Sequence, residues 1–140
     1  MSIDRVHKRF TLQAEERLKL RKHIETLFRD GEAFSVLSLR VVYLLADITG
    51  PGAAPVRVGF SIPKKRVRLA VNRNRIRRLL KEAWRLQKDL LYKNIPDGKQ
   101  LHCFLIYISP PSAGEFTFPV AQESVKKCLE KLSGRISDGK

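Results

Sequence analysis

The sequence predicts an α/β two-layer sandwich of the α+β kind, in which a small mixed sheet of about four strands is packed with three helices. Three observations predict it. Apolar residues recur at helical spacing in three separated stretches. Runs rich in Val, Leu, Phe and Tyr lie between those stretches. Clusters of Gly, Pro and Asp punctuate the boundaries. The 140 residues fit one domain, 1–140 with a core at about 17–132, and a hydrophobic content of 43% suffices for one small core.

Residues 1 to about 18 mix charges with few apolar positions and are expected to lie along the surface. Leu20, Ile24, Leu27 and Phe28 follow the i, i+4, i+7, i+8 pattern of one helix face, and Gly31 closes that helix as its C′ residue. Phe34 to Ala46 reads as a strand. Asp47 to Pro55 (DITGPGAAP) reads as a turn-rich loop. Val56 to Ile62 reads as a second strand that Pro63 ends, and the two strands are expected to form a hairpin with a long connection.

Lys64 to Asn72 is then a basic connector, and Arg73 to about Tyr92 is the strongest helix in the chain. A turn at Pro96-Asp97-Gly98 leads to Leu101–Ile108 (LHCFLIYI), whose nearly continuous apolar run predicts a central buried strand. Pro110 to Pro119 is a loop. Val120 to about Leu132 is a last amphipathic helix, and the polar tail from Gly134 is expected to fray. The predicted order is therefore helix, strands, helix, strand, helix.

The net charge is +14, from 28 Lys and Arg against 14 Asp and Glu, and it is concentrated. Between Arg57 and Lys88 there are twelve basic residues and one acid, Glu82. On a wheel of about 100° per residue, Ile76, Leu79, Leu80, Ala83, Leu90 and Leu91 share one side of the Arg73 helix, with Trp84 at its edge. Asn74, Arg77, Arg78, Lys81, Arg85 and Lys88 share the other side, with Glu82 and Asp89 on its shoulder.

A solvated face is normally mixed in sign, because i, i+4 acid–base pairs support a helix and like charges oppose it. A face of one sign calls for an anionic partner. Arginine dominates it, and its planar fork matches phosphate oxygens. Binding to a nucleic-acid backbone follows, by charge and shape rather than by base sequence. Asn72 is expected to cap the helix start, whereas Asn74 fits either a cap or a contact to a base edge or ribose.

Other function classes find little support. No apolar run approaches the roughly 20 residues that a membrane span needs, and the N-terminus lacks the apolar core of a secretory signal, so a cytoplasmic location and no membrane partner are expected. Cys103 and Cys128 are the only cysteines and read as reduced packing residues. With His7, His23 and His102 as the only histidines, a metal site is not expected. No clustered carboxylates, Ser/His/Asp arrangement or Gly-rich phosphate loop is visible, so neither a catalytic residue nor a small-molecule substrate is expected.

The run Ala70-Val71-Asn72-Arg73-Asn74-Arg75-Ile76-Arg77-Arg78-Leu79-Leu80-Lys81-Glu82-Ala83-Trp84-Arg85 resembles the signature of the protein subunit of bacterial ribonuclease P. Ahead of it, Val58-Gly59-Phe60-Ser61-Ile62-Pro63-Lys64-Lys65 resembles that family's strand end and lysine pair. Arg17-Leu18, Ile24, Leu27, Phe28 and Gly31 resemble its first helix. The likeness covers roughly residues 17 to 132, and its middle block is specific.

The resemblance implies a β-α-β crossover of left-handed sense, against the usual rule. It implies a partner, the ribonuclease P RNA, that performs the hydrolysis with its own Mg2+, the protein binding no cofactor. It implies a second partner, precursor tRNA, whose 5′ end is matured. Carried over by position, Lys64, Lys65, Arg73, Asn74, Arg75, Arg78 and Lys81 face RNA. Arg68, Arg77 and Arg85 of the same basic window complete the expected RNA-binding set.

The resemblance further implies a cleft for the single-stranded 5′ leader, at positions matching Ile24, Phe28, Val41, Tyr43 and Ser61. From the residues alone, Phe28, Val41 and Ile24 can also read as core, equally with leader contact for Ile24 and Val41 and less so for Tyr43. The chain departs from the family pattern in three places. Ile24 stands where an aromatic is usual, Pro63 replaces a small polar residue, and the 47–55 loop is longer than in some relatives. A stand-alone RNA-binding or ribosome-assembly protein is the alternative reading. It would bind RNA with the same salt dependence, but it would not promote cleavage of precursor tRNA by the RNA subunit at low Mg2+.

Overall fold

The computed structural model describes residues 21–47, 54–108 and 116–138. Its elements are α1 (Arg21–Asp30), β1 (Glu32–Val36), β2 (Leu39–Asp47), β3 (Val56–Ser61), α2 (Ala70–Gln87), the short α3 (Asp89–Tyr92), β4 (Lys99–Tyr107) and α4 (Phe118–Asp138). The strands form one mixed sheet in the order β1-β2-β4-β3. The expected surface run at the N-terminus, Leu20, and the centres of the 47–55 and 110–119 loops lie outside the described residues.

The apolar run from Phe34 is two strands and not one. A two-residue turn at Leu37-Ser38 folds β1 back on β2, with Val36 opposite Leu39. Leu37 takes φ 45 and is exposed. A leucine in that left-handed region gives no sequence signal, since Gly or Asn is the usual occupant.

The expected hairpin between β2 and β3 does not form either. β4 inserts between them, antiparallel to β2 from Leu39↔Tyr107 to Asp47↔Lys99 and parallel to β3 from Val56↔Leu101 to Ser61↔Ile106. The long apolar β4 suits the interior of the sheet, where helices on both sides pack on its two faces. α2 is thus the crossover between two parallel strands.

The sheet separates two apolar layers. On one face Val41, Tyr43, Val58, Leu101, Cys103, Leu105 and Tyr107 meet α2 and α4 through Ile76, Leu80, Trp84, Val125, Leu129 and Leu132. On the other, Leu27 and Val42 pack with Ile24, Leu44, Phe104 and Ile106 beneath α1. The final helix runs to Asp138, beyond the expected end near Leu132, because Ile136 continues its buried stripe.

α2 starts at Ala70, three residues before its expected start. Leu69 is its N-cap and makes no side-chain cap bond. Asn72 therefore lies in the first turn rather than capping it, its amide bonded to the Leu69 carbonyl at 3.1 Å. The helix breaks at Lys88, and the wheel fails there. Lys88 sits one turn beyond Trp84 and follows it inward, only 4% exposed, with its ammonium 5.4 Å from the centre of the Tyr92 ring. Leu90, expected inside, is exposed.

Gly31 ends α1 as expected, but for a different reason. Its amide bonds the Leu27 carbonyl at 2.8 Å without a left-handed backbone. Space is the constraint, since a Cβ there would lie 2.4 Å from the Leu27 oxygen and 2.8 Å from the Tyr43 oxygen. Neither backbone atom can yield without lifting α1 from β2. Gly31→Ala is expected to cost about 1–3 kcal/mol, as overpacking does. Urea denaturation measures it, and an unchanged midpoint contradicts this account of α1 docking.

Candidate nucleic-acid interface

The basic segment between β3 and α2 is a defined turn. The Pro63 carbonyl accepts the amides of Arg66 at 3.0 Å and Val67 at 3.1 Å. Val67 is buried in the core and anchors the turn, while Lys64, Lys65, Arg66 and Arg68 stay exposed. Pro63 thus serves as strand terminator and turn acceptor together.

The two arginines of the Arg-Asn-Arg motif are fastened to backbone. Arg73 Nη1 donates to the Val67 carbonyl at 3.0 Å and the Arg68 carbonyl at 2.7 Å, tying the turn to the helix. Arg75 Nη1 donates to the Phe116 carbonyl at 2.8 Å, tying α2 to the residues that lead into α4. A guanidinium has five N–H donors, so Arg73 has donors beyond the nitrogen that makes its two bonds. Both arginines are half-buried. Their first duty is to shape the surface they belong to, which spacing along a helix does not reveal.

Asn74 uses its side-chain oxygen to accept from Arg77 Nη1 at 3.1 Å, one helical turn on. That orients Arg77, and Asn74 lies inside the helix rather than capping it. Glu82 is held by Arg85, whose Nε donates to it at 3.0 Å. The hydrogen bond keeps the Glu82 carboxyl below the usual range and the guanidinium above its own. The single acid of the window is thus consumed by its nearest arginine. Among the described residues, Lys64, Lys65, Arg66, Arg68 and Arg78 form no ion pair, and Arg78 and Asn74 stand exposed. Lys81 is half-buried on the same face.

The α1 face of the sheet carries the second expected surface, with a correction. Ile24, Phe28 and Ser61 belong to it. Phe28 is 47% exposed and meets Phe104 edge to face, ring centres 5.5 Å apart. Ser61 lies opposite Ile106 on β4. Val41 and Tyr43 do not belong. Both point into the main core, Val41 fully buried and Tyr43 against Phe34, with Arg135 donating to its hydroxyl at 3.1 Å. Neighbouring strand residues face opposite sides, so a displacement of one position exchanges the layers. Val42 and Leu44 hold the cleft side of β2 instead.

Sequence reasoning also missed Phe104, hidden inside an apolar run, and a polar group at the other end of this face. There, His102 Nε2 shares a hydrogen bond with Gln100 Oε1 at 2.8 Å, and Gln100 Nε2 donates to the Ala54 carbonyl at 2.7 Å. The His23 ring stands 5.2 Å from that of His102. Burial, then the His23 ring and the Arg57 guanidinium, push His102 down to about 4 from an ordinary 6.5.

A depressed histidine stabilises the fold fully above its unfolded pKa of 6.5, and that contribution is lost as pH falls toward about 4. The urea midpoint is therefore expected to decline across that interval, and His102→Leu is expected to flatten the decline. An equal decline in that variant contradicts the assignment.

The Ribonuclease P family model matches residues 12–133. The ribonuclease P protein component of Porphyromonas gingivalis is 35% identical over 127 residues, covering 91% of this chain and 90% of that protein. Two solved structures share the fold. The ribonuclease P protein of Thermotoga maritima superposes with a TM-score of 0.64 at 21% identity, over 83% of this chain and 96% of that one. That of Staphylococcus aureus gives 0.61 at 19% identity, over 84% and 94%. The specific block and the four-stranded mixed sheet thus meet in one assignment. The chain belongs to the ribonuclease P protein family, the accessory subunits that work with the ribonuclease P RNA in an endoribonuclease maturing the 5′ ends of tRNA.

Proposed function

We propose that this chain seats the ribonuclease P RNA on the cationic corner formed by the 63–68 turn and the outer face of α2. The same chain holds the unpaired 5′ leader of precursor tRNA against the α1 face of the sheet. One observation carries both roles. Ser61 ends β3 on the α1 face, and Lys64 follows three residues later on the exposed turn. An RNA backbone leaving the corner meets the aromatic floor of Phe28 and Phe104 next.

The two surfaces divide the work physically. Exposed arginines and lysines bind phosphates, release counterions and supply affinity that falls steeply with salt. An exposed aromatic ring stacks an unpaired base of any sequence, which suits a leader that differs among precursors. Bond cleavage belongs to the RNA together with its Mg2+. Among the described residues no three His, Cys, Asp or Glu side chains gather where a metal could be held. No helix among the described residues is long and apolar enough to cross a membrane. The cytoplasm is the compartment that suits this work, and there the buried thiols of Cys103 and Cys128 stay reduced.

Reconstitution with the RNA subunit tests the reading directly. The protein is expected to lower the Mg2+ needed for cleavage of precursor tRNA, and no change in that requirement overturns it. Lys64→Ala, Lys65→Ala and Arg78→Ala combined are expected to lessen the slope of log affinity against log salt by about 2–3, with the thermal midpoint unchanged. An unaltered slope places the RNA elsewhere. Phe28→Ala is expected to cost about 1–3 kcal/mol in binding leader-bearing precursor and nothing for mature tRNA. Equal losses for both remove the leader from this face.

A further inference from the structure

His23, Arg57 and His102 come from α1, β3 and β4 and meet on the α1 face of the sheet. In register, Arg57 lies opposite His102, as Gly59 lies opposite Phe104 and Ser61 opposite Ile106. The three therefore occupy the end of this face away from the basic turn, about 13 Å along the strand from Ser61 at the usual rise per residue. The Phe28–Phe104 pair lies between.

This group is short of acceptors. His23 Nδ1 and Arg57 Nε are buried without a hydrogen-bond partner among the described residues. Gln100, on the same strand as His102, already bonds that ring and the Ala54 carbonyl. Orphaned buried donors are uncommon and costly, and a cationic one most of all. His23 and Arg57 are themselves only half-buried, so the group reaches the surface.

The charges around it all favour an anion. From β2, the residue opposite His102 is Leu44, and Arg40 lies farther along, opposite Ile106. From α1, the one acid of the helix interior, Glu25, is paired with Arg21 at 3.0 Å, while Asp30 at the far end is paired with Arg29. From β4 and β3 come His102 and Arg57 themselves. No described carboxylate faces the group.

We propose that His23, Arg57 and His102 form a phosphodiester-binding subsite for the single-stranded RNA held on the α1 face, and that filling it draws a proton onto the His102 imidazole. The inference rests on the leader reading above and adds a second anchor to it. A phosphate oxygen supplies the acceptor that Arg57 Nε lacks, and accepts from His23 Nδ1 in the tautomer that carries its proton there. Its negative charge opposes the burial and the two neighbours that keep His102 neutral. Proton uptake then couples leader affinity to pH, so that binding tightens as pH falls. The basic turn carries lysines and arginines and no histidine, and its contribution is expected to stay level.

The test uses the full chain reconstituted with the RNA subunit. The ratio of affinities for leader-bearing precursor and mature tRNA is measured at pH 7.5 and pH 5.5. The ratio is expected to rise about threefold or more at the lower pH, the gain that linkage gives when an imidazole moves into this range. Imidazole NMR of the free full chain with a short oligouridine is expected to move the His102 titration upward by about two units from about 4, as the threefold change in ratio requires. Inorganic phosphate at equal concentration is expected to move it less. His23→Asn and Arg57→Gln, either of which leaves His102 in place, are each expected to abolish the pH dependence of the ratio.

A ratio that is large but level with pH, with the Phe28 and Phe104 signals shifted and His102 unmoved, overturns the subsite and leaves the leader reading standing. A ratio near one at both pH values, with no signal on this face moved, overturns both. An equal shift from inorganic phosphate assigns the group to free oxyanions and overturns its role in RNA binding.

Discussion

A face of like charge can be held in register only by something that is not itself charged. Here the support is apolar and backbone-borne. Ile76, Leu80, Ala83 and Trp84 fix α2 on the sheet, and Val67 pins the turn before it. Arg73 then binds two carbonyls of that turn, and Arg75 binds a carbonyl just before α4. The motif's arginines are part of the frame as well as part of the surface. This lets the remaining cations crowd together without collapsing onto acids of the same chain, Glu82 being the single acid in the window. Self-repulsion among them is the strain that phosphates relieve.

The sheet gives the molecule its second property, two working faces back to back. β4 lies between strands on both sides and feeds both layers, Cys103 and Leu105 to the main core and Phe104 to the α1 side. α1 covers only part of its face, so Phe28 and Phe104 remain reachable next to a strand whose end runs straight into the cationic turn. Position on the sheet, not any single side chain, joins the two surfaces.

Much of this was legible in the sequence. The 3.6-residue rhythm from Arg73 located the main helix and its cationic side, because amphipathic periodicity survives almost any tertiary context. The block from Ala70 to Arg85 identified the family. The losses have local physical causes. A leucine in a left-handed turn hid the β1–β2 hairpin. Pairing order depends on long-range competition for β4, which no local pattern encodes. The misplacement of Val41 and Tyr43 came from carrying family positions onto a strand buried on both faces, where a shift of one residue leaves the apolar pattern unchanged. Lys88 misled because it lies one turn beyond Trp84 and follows that ring inward, where its stem is covered and its ammonium reaches the Tyr92 ring. The backbone bonds of Arg73 and Arg75, and the meeting of His23 with Arg57 and His102, exist only once distant segments are brought together.

The central claim is that the corner built by the 63–68 turn and α2 is where the partner RNA docks. The native thiols permit a direct test, since burial raises both Cys103 and Cys128 out of the reactive range. A single cysteine at the exposed Leu69, beside the turn, is compared with one at exposed Ser35 on β1, the opposite edge of the sheet. Each carries a tethered radical-generating probe in the assembled holoenzyme. The account predicts strand cleavage of the ribonuclease P RNA from position 69 and none from position 35. Cleavage from 35 with 69 silent would contradict it.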